Sequence, residues 1–190
     1  MTDLEQYITS YFGVVEKDDL DKIVSFFKAK SVKKGDFLLT SGNRCNNLSF
    51  VHSGLLRMFA TTETKEVTQW ISTNGFFTGD LSSFIFGTPS HLSIQALADS
   101  EISTISKENY TQLGNLLPKW HEFEKLFIAR CFITLEQRIF SHLSMSAEER
   151  YQAFFDQNPS LFNQVPLQYI ASLLGMSPET FSRIRKKQRL

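Results

Sequence analysis

The stretch Leu167–Gln188, LQYIASLLGMSPETFSRIRKKQ, decides how the rest of the chain is read. Ile170, Leu173 and Leu174 recur at helical spacing and give one apolar face. Ala171 is small enough to let a second helix cross closely. Gly175 follows the last apolar residue, where a chain leaving a helix often takes a left-handed conformation that strains other side chains. Ser177-Pro178-Glu179-Thr180 then combines an N-cap serine, a proline for the first helical position and an acid for the positive end of a helix dipole. The second helix turns Phe181 and Ile184 inward. Arg183, Arg185, Lys186, Lys187 and Arg189 point outward or trail behind.

Two short helices, a glycine-containing turn and a basic second helix spell a DNA-binding helix-turn-helix. An ordinary helical hairpin with a solvated basic face shares the apolar spacing alone; the ordered set with its basic tail is more restrictive. In the DNA-binding reading, Ser177 and Thr180 meet phosphate at the helix N-terminus. Glu179 accepts from a cytosine amino group, and Arg183, one turn on, donates to guanine O6 and N7. Glu179 and Arg183 also have the spacing of a simple i,i+4 ion pair. Ser182 lies on the same outer face. Lys186 and Lys187 suit phosphates or solvent. Pro178 cannot hydrogen-bond to a base and would act by contact or shape.

The chain outward from this stretch has 190 residues, 42% hydrophobic and 21% charged, the profile of a soluble globular protein with room for one medium domain and a small one. Eighteen phenylalanines call for large buried apolar surfaces. The formal net charge is zero, yet residues 165–190 hold five basic side chains against one acid, so the remainder is acidic. Positive charge is concentrated where a polyanion would dock. No apolar run of about 18 residues is present, and the first residues, MTDLEQYITSYFG, lack a signal-peptide pattern, so no membrane span and a cytoplasmic location are expected. Cys45 and Cys131 are far apart, and His52, His91, His121 and His142 show no ligand spacing. Both cysteines read as ordinary thiols, and no metal or cofactor is expected. No nucleophile elbow or Walker loop is present, so no catalytic residue is assigned and the chain is not expected to be an enzyme.

Residues 3–30 read as helical, with Leu4, Tyr7, Ile8, Tyr11 and Phe12 as one stripe and Leu20, Ile23, Val24 and Phe27 as a second, separated at Gly13. From Val32 the pattern changes to short strands: pieces around Lys34-Gly35-Asp36, then Leu48–Val51, Leu55–Ala60, Val67–Ile71, Ser93–Ala98 and Glu101–Ile105. Turn signals punctuate them at Ser41-Gly42-Asn43, Ser53-Gly54, Glu63–Lys65 and Asn74-Gly75. Many short strands predict a sandwich or barrel. Helical period returns between about Pro118 and Leu143 on two offset stripes: Leu116, Trp120, Phe123 and Phe127, and Ile128, Phe132, Leu135, Ile139 and Leu143. One face can cover the barrel, and a second copy of the chain is the economical partner for the other. Burial of the whole helix within its own monomer is the alternative. A short helix over Ala147–Gln157 precedes the opening motif.

A short-stranded barrel, a long apolar helix and a helix-turn-helix, in that order, resemble the bacterial Crp/Fnr family of transcription regulators. The sharpest match runs Ile170-Ala171-x-x-Leu174-Gly175-Met176-Ser177-x-Glu179-Thr180-x-Ser182-Arg183-Ile184; Lys34-Gly35-Asp36, Gly42 and Val51-x-x-Gly54-x-x-Arg57 agree more loosely. Phe77-x-Gly79-Asp80-Leu81 stands where the family's nucleotide binders begin a phosphate cassette. The resemblance implies an effector pocket of Phe77, Gly79, Asp80, Leu81, Leu92 and Ser93. In nucleotide-binding members, backbone N–H groups, an acid for the ribose and an arginine hold the cyclic phosphate. Here Leu92 replaces the arginine, and no Lys or Arg occurs between Val67 and Lys107. A buried phosphate without a cation is costly. Cyclic nucleotide in the usual mode is therefore not expected, and Phe76, Phe77, Phe84, Ile85 and Phe86 suit an apolar or neutral effector better.

The resulting expectation is an α+β chain in three parts. Residues 1–116 form a β-barrel or jelly roll of the cyclic-nucleotide-binding type, with N-terminal helices. Residues 117–145 form a dimerisation helix carrying Trp120, Phe123, Phe127, Ile128, Phe132, Leu135 and Ile139. Residues 146–190 form a helix-turn-helix domain lacking trailing wing strands. The expected partners are double-stranded DNA, a second copy in a homodimer, a small-molecule effector and, by family resemblance, RNA polymerase. A ligand-binding sensory module with a weak or vestigial DNA element is the competing reading.

Overall fold

The computed structural model describes residues 3–13 and 15–188. Helices α1 (Asp3–Phe12) and α2 (Lys17–Ser25) come first. Strands β1 (Lys28–Val32), β2 (Phe37–Leu39), β3 (Asn47–Ser53), β4 (Leu56–Thr61), β5 (Glu66–Ser72) and β6 (Phe77–Thr78) follow. Helix α3 (Leu81–Phe86) separates these from β7 (Leu92–Ala96) and β8 (Ser100–Ser106). The remainder is helical: α4 (Lys107–Leu116), α5 (Trp120–Ser144), α6 (Ala147–Gln157), α7 (Leu161–Gln164), α8 (Leu167–Leu173) and α9 (Pro178–Gln188).

The strands make two four-stranded antiparallel sheets, ordered β1-β8-β3-β6 and β2-β7-β4-β5. Phe50, Leu56, Ile94, Ile102 and Ile105 from the two sheets pack into one core. Gly54 turns the chain between β3 and β4 at φ +96°, and a Cβ there would sit 2.6 Å from Asp99 O. Only glycine meets both conditions without strain.

Helix α1 buries Leu4, Ile8 and Phe12, and Phe12 stacks on Phe127 at 5.4 Å and on Trp120 at 5.8 Å. The aromatic surplus is used here: Tyr11, Phe27, Phe50 and Phe127 all pack around Phe77.

Three readings of the sequence need correction. The helical assignment to residue 30 overran: α2 ends at Ser25, and Lys28–Val32 pairs with β8 from Lys28↔Thr104 to Val32↔Ser100. Ladder pairing overrides the helix propensity of Lys-Ala-Lys. Helix α4 was not foreseen, because its face is narrow and only Leu113 is buried; its signal is the N-cap Ser106, which accepts from Asn109 N. Leu116 ends α4 exposed and does not belong to the stripe of α5.

A second core joins Tyr151, Phe162, Ile170, Leu174, Phe181 and Ile184 of the C-terminal helices to Leu55 and Ile71 of the barrel. The C-terminal helices are therefore seated on the β2-β7-β4-β5 sheet through shared apolar contacts. Among the described residues no helix is long and apolar enough to cross a membrane.

Candidate nucleic-acid interface

Helices α8 and α9 take the conformation that their sequence encodes. Gly175 is left-handed at φ +68°. Met176 N donates back to Ala171 O at 2.9 Å and Gly175 N to Ser172 O at 3.1 Å, which closes α8 with a glycine cap. Ser177 Oγ accepts from Thr180 N at 3.2 Å and starts α9, with Pro178 as its first residue. Phe181 and Ile184 are buried, Phe181 lying 5.2 Å from the Tyr151 ring.

The outer face of α9 presents Ser177, Pro178, Glu179, Ser182, Arg183, Lys186 and Lys187, all exposed, with Thr180 and Arg185 half-buried. Arg189 lies outside the described residues. Hydrogen bonds from its own backbone N–H and from Ser177 hold the Glu179 carboxyl below the usual carboxylate range. Among the described residues no ion pair links Glu179 to Arg183, so the guanidinium is not tied down along its own helix. A charged carboxylate with a cation one turn beyond it is a donor–acceptor pair suited to base edges in a major groove.

Helix α5 divides its apolar residues between two environments. Trp120, Phe123 and Phe127 are buried against α1 and the barrel. They belong to the chain's own core and not to a free face. Ile128, Phe132, Leu135, Ile139 and Leu143 are exposed, Phe132 by 64% and Leu143 by 82%. A stripe of this extent is unusual on a monomer surface.

The residues expected to form an effector pocket are engaged in contacts of the chain's own. Asp80 is buried as the N-cap of α3; its carboxylate accepts from Ser83 N at 3.2 Å and from Ser90 Oγ at 2.6 Å. Gly79 lies against β3, where a Cβ would meet Asn47 O at 3.2 Å. Phe77 belongs to the aromatic cluster, Leu92 is buried, Leu81 packs on the core, and Ser93 Oγ accepts from Ser41 N at 3.0 Å. The phenylalanine-rich set does not form one lining either. Phe84 is buried, Ile85 and Phe86 are exposed, and Phe76 packs on Trp70. The chain's own side chains satisfy the turn that a cyclic phosphate would need, and Leu92 offers no charge. These residues do not fit that ligand.

Sequence reasoning missed three arginines. Arg57 on β4 is 1% exposed, with its guanidinium 4.2 Å from the Phe59 ring and 3.6 Å from the Tyr169 ring of α8. It donates to Thr68 Oγ1 at 3.0 Å and to Glu66 at 2.6 Å. Arg138 of α5 donates to Gln69 O on β5 and, at 2.9 Å, to Leu173 O at the end of α8. Arg150 of α6 donates to Leu174 O at 3.0 Å and to Met145 O at 2.6 Å. Ser172 Oγ adds a bond from Thr68 N at 2.9 Å. The only trace of this set in the sequence was the Gly54-x-x-Arg57 spacing, read there as a barrel feature.

Residues 29–115 match the cyclic nucleotide-binding domain family. No curated protein sequence matches the chain. Among solved structures, the Thermus thermophilus catabolite activator protein is 23% identical with a TM-score of 0.58, covering 93% of this chain and 85% of that one. FixK2 from Bradyrhizobium japonicum is 14% identical with a TM-score of 0.71, over 86% and 84% of the two chains. CLP from Xanthomonas campestris, described as a c-di-GMP-responsive global regulator, is 16% identical with a TM-score of 0.66, over 92% of each. The match to the cyclic nucleotide-binding domain family is thus confined to the barrel and its following helix, and the chain from barrel through long helix to the C-terminal helices shares its fold with the catabolite activator protein, CLP and FixK2 structures.

Proposed function

We infer that this chain is a cytoplasmic, homodimeric, sequence-specific DNA-binding transcription regulator rather than a catalyst. The observation that carries the reading is α9: its inner residues are consumed by the second core while Glu179, Ser182, Arg183, Lys186 and Lys187 stay exposed on one face. Residues 1–116 act as the sensor, 117–145 as the dimerisation helix and 146–190 as the DNA-binding domain. The exposed stripe of α5 supports pairing with a second copy, which would present two recognition helices to paired half-sites. RNA polymerase is the partner through which a bound dimer would act on transcription. The closed turn around Asp80 supports an effector other than a cyclic nucleotide held in the barrel.

Selection of bound DNA from a random pool tests the reading. The expected product is a two-fold symmetric site, bound less tightly as salt rises because phosphate contacts release counterions. Recovery of no enriched sequence, or salt-independent binding, would sink it.

A further inference from the structure

We propose that a cleft at the end of β4 and β5 away from their hairpin is a binding site for a neutral polyol, a sugar or cyclitol ring carrying several hydroxyls and no charge. The cleft has a volume of about 320 Å³ and lies between the β3–β4 and β5–β6 turns of the barrel and the α6–α7 turn of the C-terminal helices. No residue of the β4–β5 hairpin, of α9 or of the Asp80 turn lines it. A cavity at the small end of the ligand range suits one ring better than a nucleotide.

The walls of the cleft are held by the chain's own bonds. Gly54 turns the β3–β4 connection at φ +96° against the backbone of Asp99. The neighbouring His52 ring is fixed between Ser103 Oγ, 2.7 Å from its Nε2, and the Phe50 ring, edge-on at 4.9 Å. On the opposite wall, Asn158 N donates to Phe154 O at 2.9 Å and Leu161 N donates to Asn158 O at 3.1 Å, which closes the α6–α7 turn. Leu55 and Leu161 line the cleft from either side and are both buried members of the second core, so its deepest surface is apolar.

The rest of the lining selects the ligand. Ser53, Thr73, Asn74, Gln157, Ser160 and Gln164 offer hydroxyls and carboxamides, and among the described residues none of these side chains is engaged in a hydrogen bond. Both kinds of group donate and accept, as a ligand hydroxyl does. The lining holds no Asp, Glu, Lys or Arg. An ion brought there would lose hydration and gain no counter-charge. A polyol ring can instead lay its C–H face on Leu55 and Leu161 and turn its hydroxyls to the amides. An occupant held this way joins two barrel turns to the α6–α7 turn and tightens the seat of the C-terminal helices. Its role as effector rests on the DNA-binding reading above; occupancy of the cleft does not.

The full-length chain, without DNA, is titrated with myo-inositol, with methyl glucoside and with glucuronate, a charged ring of similar size, while the side-chain NH₂ signals of Asn74, Gln157 and Gln164 are followed by ¹H–¹⁵N NMR. Saturable shifts at millimolar concentration are expected with at least one neutral ring and not with glucuronate; the tighter of the two neutral rings identifies the cyclitol or pyranose source. Gln157→Ala and Gln164→Ala each remove one exposed carboxamide and should weaken binding about fivefold, the scale of one neutral hydrogen bond, with the melting temperature unchanged. No saturation with either neutral ring, an equal response to glucuronate, or unchanged binding in both variants overturns the site. Polyol binding that leaves the affinity for a selected DNA unchanged overturns the effector role. Polyol binding by a chain that selects no DNA overturns the proposed function instead.

Discussion

Ser146 and Glu149 close the first turn of α6 on each other. Ser146 Oγ accepts from Glu149 N, and the Glu149 carboxylate accepts from Ser146 N at 2.8 Å. These bonds hold the Glu149 carboxyl below its ordinary value of 4.5. A depressed folded-state pKa means stability that is present above the unfolded value and lost as pH falls through the folded one. Glu149→Gln should therefore lower the urea midpoint at neutral pH, and the gap from the parent should close below pH 4.5. A gap that persists in acid would assign the effect to something other than the charged cap. In the proposed DNA-binding function, Arg183 is the residue that carries the base-reading prediction. Arg183→Ala should cost about 1–3 kcal/mol on a selected site and flatten preference at one position. Equal retention of that DNA by parent and variant would remove Arg183 from the base-reading set. Ser177, Pro178 and Gly175 were legible in the sequence because each encodes a local backbone conformation. Arg57 was not, because its neighbours Phe59, Thr68 and Tyr169 come from three separate elements.

Helix α5 shows what periodicity can and cannot reveal. Its two apolar stripes were visible as an offset in spacing, and the structure separates them into a buried end and an exposed length. Spacing alone could not place the division. It falls after Phe127, the last of the helix's buried residues. The two faces call for opposite outcomes. Phe127→Ala should cost about 3–5 kcal/mol of chain stability, since a large buried ring leaves a cavity. Ile139→Glu lies on exposed surface and should change monomer stability by no more than about 0.5 kcal/mol, while abolishing the dimer in sedimentation. Retention of the dimer mass by Ile139→Glu would mean that this stripe is not the contact. Strand β1 and helix α4 escaped detection for the opposite reason. Their burial is slight, one residue each, so partner elements and a serine cap define them more than any hydrophobic pattern does.

At the scale of the whole molecule, barrel, long helix and helix-turn-helix were legible as separate parts, but their seating on one another was not. That seating depends on Leu55 and Ile71 entering the second core and on arginines reaching backbone carbonyls, and neither leaves a period in the sequence. Arg138 is the residue through which all three parts meet, since it grows from α5 and holds one carbonyl of β5 and one of α8. A single calorimetric transition, with van't Hoff and calorimetric enthalpies equal, is expected for the parent chain. Arg138→Ala should separate it into two, the helix-turn-helix melting first. An unchanged single transition in that variant would show that the shared apolar core alone couples the parts. The arrangement also links heat resistance to abundance. In the proposed dimer, association of α5 with a second copy would favour the folded chain by mass action, so the melting temperature should climb with protein concentration. Because Arg138 ties α8 to that same helix, dilution of the proposed dimer would loosen the helix-turn-helix as well, leaving a scarce protein with a softer C-terminal end than a plentiful one.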